Sequence, residues 1–246
     1  MFNKTCPEEY PINLFVNGRN LLTIQLTEVH LDDWAVGYMY AEGIIESSDE
    51  VQEIAIDPYR GNIHVKLDNQ VDMEEFLKKK KTITAGCGKG ATFRSMKEMS
   101  HFKRVKDARS VSTELLRRKM KEMYKLTPIY HQTGGMHAAC IIDGNDEMIV
   151  REDIGRHNAI DKAIGAALKK GLIGRDCVIM TTGRISMEMC SKVARFGVGV
   201  AASRTASTNL AVALAKELNV DLVGYVRGQS AYVYTEGKRV MKLVNG

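Results

Sequence analysis

The sequence predicts an α/β fold, a layered sheet containing parallel neighbours and flanked by helices, with a smaller α+β part ahead of it. Three observations carry this reading. Beyond about residue 150, strand runs and amphipathic helices alternate: "GRHNAIDKAIGAALKK", then "DCVIM" feeding a helix that begins near Ser186, then "VGVAA" feeding one near Ser207, with "VDLVGYV" as a closing apolar strand. Before about residue 70 the pattern is that of short paired strands around one helix. A chain of 246 residues that is 44% hydrophobic can bury the core such layers need.

Taken in order, residues 14–26 alternate around "VNGRN", and the Asn17-Gly18 pair suits the positive φ angles of a tight hairpin turn. "HLDDWAVGYMYAEGII" sets Trp34, Tyr38 and Ala41 at helical spacing, with Asp32 or Asp33 as the cap and Gly43 as the stop. Residues 51–56 and 62–67 alternate around "DPYRGN" and form a second strand pair. "VDMEEFLKKKK" reads as a short helix whose cations suit the negative end of its dipole. The polar stretch "HFKRVKDARSVST" has little apolar periodicity and sets a boundary near residue 105. The division is then residues 1–105, an N-terminal α+β part with the cysteine loop, and residues 106–246, an α/β domain. That domain opens with the helix "STELLRRKMKEMYK" and strands in "GMHAACIIDG" and "DEMIVRED"; its next helix buries Ile160, Ala163, Ile164, Ala167 and Leu168.

Composition narrows the function. With 35 basic and 30 acidic residues the net charge is +5, too small an excess to indicate nucleic acid as a partner, although a local basic surface or an anionic ligand stays open. The five cysteines, Cys6, Cys87, Cys140, Cys177 and Cys190, never form C-x-x-C, so neither a disulfide framework nor a zinc site is indicated. "MFNKTCPEEYPINLFV" has no signal-like apolar stretch, and no run reaches the ~18 apolar residues of a membrane helix. The expectation is a soluble cytoplasmic protein with reduced thiols and no membrane partner.

In open α/β sheets ligands bind where loops leave the carboxyl ends of the strands. Here those loops are "REDIGRHN", "TTGRIS", "SRTAST" and "VRGQS", carrying Arg156, Arg184, Arg204 and Arg227. If their strands are parallel, four guanidinium groups gather at one edge beside helix N-termini, an arrangement suited to a ligand with several phosphates. The alternative for each arginine is to cap a loop or pair with Glu152, Asp153 or Glu188. His157 can meet a phosphate or a base edge, and His137 can fix its own turn. No third ligand stands near either histidine, so no metal site is expected. Zinc nucleoside deaminases share a helix-flanked layout, but no P-C-x-x-C follows an H-x-E or C-x-E element here, which argues against deamination.

Cys140, Cys177 and Cys190 lie in apolar runs and read as buried thiols, while Cys6 sits near the terminus. Cys87, in "TITAGCGKG", has glycines around it and Lys81, Lys89 and Arg94 nearby, conditions for an accessible thiolate. Such a thiolate can attack a carbonyl, form a mixed disulfide, or carry sulfur as a persulfide.

The segments "TGGMHAA", "REDIGRHNAIDKAIG", "TTGRISMEMCSKVARFGVGVAASRTASTNLAVALA" and "LVGYVRG" resemble, in order, the motif series of the formate dehydrogenase accessory sulfurtransferases, and "LDDWAVGYMYAEGII" and the cysteine loop extend the likeness. The resemblance implies a cytidine deaminase-like α/β/α sandwich with an appended N-terminal part, and a homodimer. It implies a sulfurtransferase that takes sulfane sulfur from a cysteine desulfurase onto catalytic Cys87 and passes it to the molybdenum or tungsten bis(pyranopterin guanine dinucleotide) cofactor required by formate dehydrogenase, the client. The family's guanine-dinucleotide contact falls on Tyr225, Val226, Arg227, Gly228, Gln229 and Ser230, beside the edge of Arg156, His157, Arg184 and Arg204. In place of the family's second loop cysteine this chain has Gly90. That substitution leaves a rival reading, a cofactor-binding chaperone without sulfur chemistry. A nucleotide-binding regulator is a third reading, on the arginine edge alone.

Overall fold

A computed structural model describes residues 5–68 and 104–241. Cys87, Gly90 and the helix expected over residues 71–81 lie outside the described residues. Asn17 and Gly18, with φ of 48° and 78°, turn β1 (Tyr10–Val16) into β2 (Arg19–Leu26), as their pairing anticipates. With β3 (Val51–Asp57) and β4 (Asn62–Leu67) they form a four-stranded sheet of order β2-β1-β4-β3, in which only β1 and β4 are parallel. One face carries Ile12, Leu14, Val16, Ile63 and Val65 against Trp34 and Met39 of α1 (Leu31–Ala41).

The start of α1 departs from expectation. Neither Asp32 nor Asp33 caps it; His30 does so in the left-handed conformation at φ 54°, without a side-chain bond. Both carboxylates sit in the first turn, where the dipole favours them, and there cations from another part of the chain engage them. Lys169 pairs with both, and Arg151 Nε reaches Asp33 Oδ2 at 2.7 Å.

The larger sheet has the order β11-β10-β9-β8-β6-β7. Its strands are β6 (His137–Ile142), β7 (Met148–Asp153), β8 (Val178–Thr181), β9 (Val200–Ser203), β10 (Asp221–Arg227) and β11 (Ser230–Val233). β8, β9 and β10 are parallel neighbours, as the alternating units require. β6 runs antiparallel to both β7 and β8, so β7 points the same way as β8. All four arginine-bearing loops therefore leave the same edge, although an antiparallel strand stands between the first and second.

Successive strand residues divide between two cores. Ile141, Ile179, Ala201 and Leu222 face α4 (Arg156–Lys169), α5 (Met187–Phe196) and α6 (Asn209–Leu218), where Ile160, Ile164, Val193 and Leu214 are buried. Cys140, Met180, Ala202 and Val223 face Leu116, Met120 and Met123 of α2 (Thr113–Lys125), on the other side. Each of the larger aliphatic side chains among these, the Ile, Leu, Val and Met residues, contributes roughly 1.5–3 kcal/mol on burial. In α4, Ile160, Ala163, Ile164 and Ala167 are buried as expected, but Leu168 is only partly so, because it packs at the junction with the smaller sheet. The molecule is thus a mixed α/β fold with several sheets; a short helix, α3 (Pro128–Thr133), and a short strand pair, β5 (Val111–Ser112) with β12 (Val240–Met241), complete it.

α1 crosses α4 at two glycines. A Cβ on Gly37 would collide with the Asp161 carbonyl oxygen, and one on Gly165 with the Asp33 carbonyl oxygen. Backbone meets backbone here, and any side chain would force the helices apart.

Candidate functional site

Serine and threonine place the helices that frame the sheet edge. Ser186 Oγ accepts from Met189 N at 3.4 Å and Thr208 Oγ1 from Ala211 N at 3.3 Å, so α5 and α6 start on side-chain caps. The two loops before them are stitched together. Ile185 N donates to Ala206 O at 3.1 Å, Thr208 N to Ile185 O at 3.0 Å, and Ser203 Oγ to Gly183 O at 2.7 Å.

On the α4 side of the edge, several charged groups are paired internally. Lys162 and Asp153, both fully buried, meet at 2.7 Å; Asp153 also accepts from Gly155 N at 2.8 Å and Thr27 N at 3.1 Å. This carboxylate fixes the turn that delivers Arg156 and His157. Arg156 packs on Gly183, where an added Cβ would stand 2.8 Å from its own Cβ; its Nε is buried and has no hydrogen-bond partner among the described residues. His157 Nε2 lies 3.2 Å from Glu188 Oε2 and 3.3 Å from Ser186 Oγ. Glu188 and Ser186 share one ring nitrogen, so this is no nucleophilic triad, in which the carboxylate would hold Nδ1. Burial, then the neighbouring Arg156 charge, lowers the pKa of His137 from its ordinary value and favours the neutral ring. Arg184 is exposed on its loop.

The α2 side is open. A cleft of about 790 Å³ runs between α2 and the turn after β10, lined by Arg117, Arg118, Lys121, Lys125, Arg204 and Arg227, with Glu114 as its one acid among the described residues. Arg204 lies over the Tyr124 ring at 4.7 Å, and Arg227 over the Tyr225 ring at 5.5 Å. Val226 is buried beneath the turn, while Tyr225, Arg227, Gly228, Gln229 and Ser230 are exposed. Tyr225 has φ 52° at the irregularity between β10 and β11, a left-handed conformation that costs a non-glycine residue about 1–2 kcal/mol. Strain of this kind persists where the surroundings enforce it, commonly at ligand sites.

The structure therefore brings together Arg204, Val226, Arg227, Gly228 and Gln229 in one cleft, with Tyr225 and Ser230 flanking it rather than lining it, and Arg156 with His157 in a separate cluster on the α4 side. The sequence reading missed the cations of α2. Their signal was present, since Arg117, Lys121 and Lys125 recur every four residues opposite Leu116, Met120 and Met123. Among the described residues, no group of three or more His, Cys, Asp or Glu could hold a metal ion, and no helix is long and apolar enough to cross a membrane.

A family model described as FdhD/NarQ matches residues 7–241. The chain belongs to the FdhD/NarQ family. Curated relatives named sulfur carrier protein FdhD include those of Bacillus pumilus (strain SAFR-032), 34% identical over 95% of this chain and 89% of the relative, and of Bacillus subtilis (strain 168), 34% identical over 94% and 88%. A crystal structure from Desulfotalea psychrophila, described as a formate dehydrogenase accessory protein, superposes with a TM-score of 0.77 at 26% identity, covering 95% of this chain and 90% of that one. The FdhD/NarQ match spans the residues of α2 as well as those of the large sheet.

Proposed function

We propose that this protein is a sulfur carrier for formate dehydrogenase maturation. It accepts sulfane sulfur from a cysteine desulfurase as a persulfide on Cys87 and transfers it to the molybdenum or tungsten bis(pyranopterin guanine dinucleotide) cofactor, its substrate, acting as a cytoplasmic homodimer. Its architecture on this reading is the cytidine deaminase-like sandwich, with the cofactor held by the domain after residue 105. The observation that supports it best is the cationic cleft beside the strained Tyr225 turn.

The residues present fit such a substrate. Each guanosine diphosphate end carries a pyrophosphate, for which Arg204, Arg227 and the exposed Gly228 backbone supply donors. The cleft falls within the roughly 300–1,000 Å³ of small-molecule sites. Arg156, His157 and Arg184 extend the proposed contact set along the α4 side of the same edge.

In the loading step the Cys87 thiolate attacks the terminal sulfur of the donor persulfide. A new S–S bond forms on Cys87, the donor's S–S bond breaks, and its electron pair leaves on the desulfurase cysteine. The other thiols favour this assignment. Burial pushes Cys140 and Cys190 up to about 12 and Cys177 up to about 11, which keeps them protonated, and Cys6 is the exposed one of the four.

The test is to load wild type and Cys87→Ala with a desulfurase and cysteine and count persulfides by mass spectrometry. Loss of loading in the variant is expected; undiminished loading on other cysteines would overturn the assignment. Complementation of a strain lacking the accessory protein separates carrier from chaperone, because a chaperone would work equally well as Cys87→Ala.

A further inference from the structure

The geometry points to a second, previously unassigned half of the cleft: α2 supplies an anion subsite through Lys121 and Lys125, with Arg117 as the positioning residue for the facing turn. This rests on the reading of the cleft as a site for a phosphate-bearing ligand, and names residues and roles which that reading does not contain.

The cations of α2 have different employments. Lys119 is buried and paired with Glu122 at 3.0 Å, and Arg118 stands 3.9 Å from Asp146. Arg117 Nη1 crosses the cleft and donates to Gln229 O at 2.9 Å, tying the helix to the turn that carries Arg227 and Gly228. Tyr124 is occupied on one face by Arg204. Lys121 and Lys125 are exposed, line the cleft, and have no hydrogen bond or ion pair among the described residues. They are one helical turn apart, about 6 Å along the axis, on the ridge that continues from Arg117.

Lysine is suited to this part because its three donors swing on a flexible stem, so two lysines can close on a phosphate whose position the rigid arginines set. The fixed and movable halves then divide the work. Arg204 and Arg227 are held on aromatic rings and define where the anion sits, while Lys121 and Lys125 engage from the opposite wall. The ligand chemistry is a pyrophosphate group, either that of a nucleoside diphosphate or the free inorganic ion.

The experiment is calorimetric titration of the full chain with guanosine diphosphate and with inorganic pyrophosphate, in parallel, for wild type, Lys121→Gln/Lys125→Gln, Arg117→Ala, Arg117→Lys and Arg227→Ala. The double lysine variant should weaken both probes about 10- to 100-fold, with a flatter dependence of affinity on salt. Arg117→Ala should weaken both and raise amide exchange at Gly228–Ser230, and Arg117→Lys should restore part of each, since an ammonium can still donate to the Gln229 carbonyl. If wild type binds guanosine diphosphate but not pyrophosphate, a nucleoside is the required source; comparable binding of both selects the bare anion. Wild-type affinity in the double lysine variant, alongside loss in Arg227→Ala, would overturn the α2 subsite and leave the cleft reading standing. Absence of binding of both probes to wild type would overturn both.

Discussion

The two sides of one sheet edge use the same residue types to different ends. On the α4 side Lys162 has met Asp153, Lys192 has met Asp161 at 2.5 Å and His157 has met Glu188 inside the protein, while Arg184 stays exposed on its loop. On the α2 side Lys121, Lys125 and the exposed Arg227 face solvent, with Glu114 as the one acid lining the cleft among the described residues. A cation that is buried and paired holds the fold, whereas a cluster of unpaired like charges keeps its interaction for something that arrives. Proximity in sequence to a ligand-type loop does not distinguish the two cases; partners do.

The sharpest way to break the contrast is Lys162→Met. It leaves Asp153 buried without its cation, and the expected loss is about 3–5 kcal/mol in urea unfolding; a loss below 1 kcal/mol would show that the pair holds little. Gly165→Ala comes next, an overpacking of the α1–α4 crossing expected to destabilise by about 1–3 kcal/mol or more, read in the same way. Ser186→Ala removes the α5 cap and should take away about 1 kcal/mol. Arg227→Ala closes the series: stability within about 0.5 kcal/mol of wild type, but guanosine diphosphate affinity down about 10-fold. A large fall in stability there would mean that the α2 side is built like the α4 side. Thiol alkylation adds a check on the interior: Cys6 should react in native protein, and Cys140, Cys177 and Cys190 only after unfolding.

Much of the local structure was legible because its causes are local. Asn17-Gly18 sets a turn by its own backbone preferences, and Ser112 and Ser186 announce helix starts by bonding three residues ahead, as does Thr208, one residue past the start expected near Ser207. The cap of α1 was misread because Lys169 and Arg151, far along the chain, engage the acids that would otherwise have served. The placement of β6 between β7 and β8 has no local signature either, since it is settled by which strands pack. For the site, the four arginine loops could be found by strand direction, but not their division between two faces. That depends on α2 lying across from residues 226–229, a contact that joins segments over a hundred residues apart.

The glycine crossing of α1 and α4 has a consequence for how the chain comes apart. Helices in backbone contact separate poorly by degrees, since a gap of about 0.5–1 Å already forfeits roughly a quarter to a half of the dispersion energy between them. The small sheet should therefore melt with the large one, in a single calorimetric transition whose van't Hoff and measured enthalpies agree.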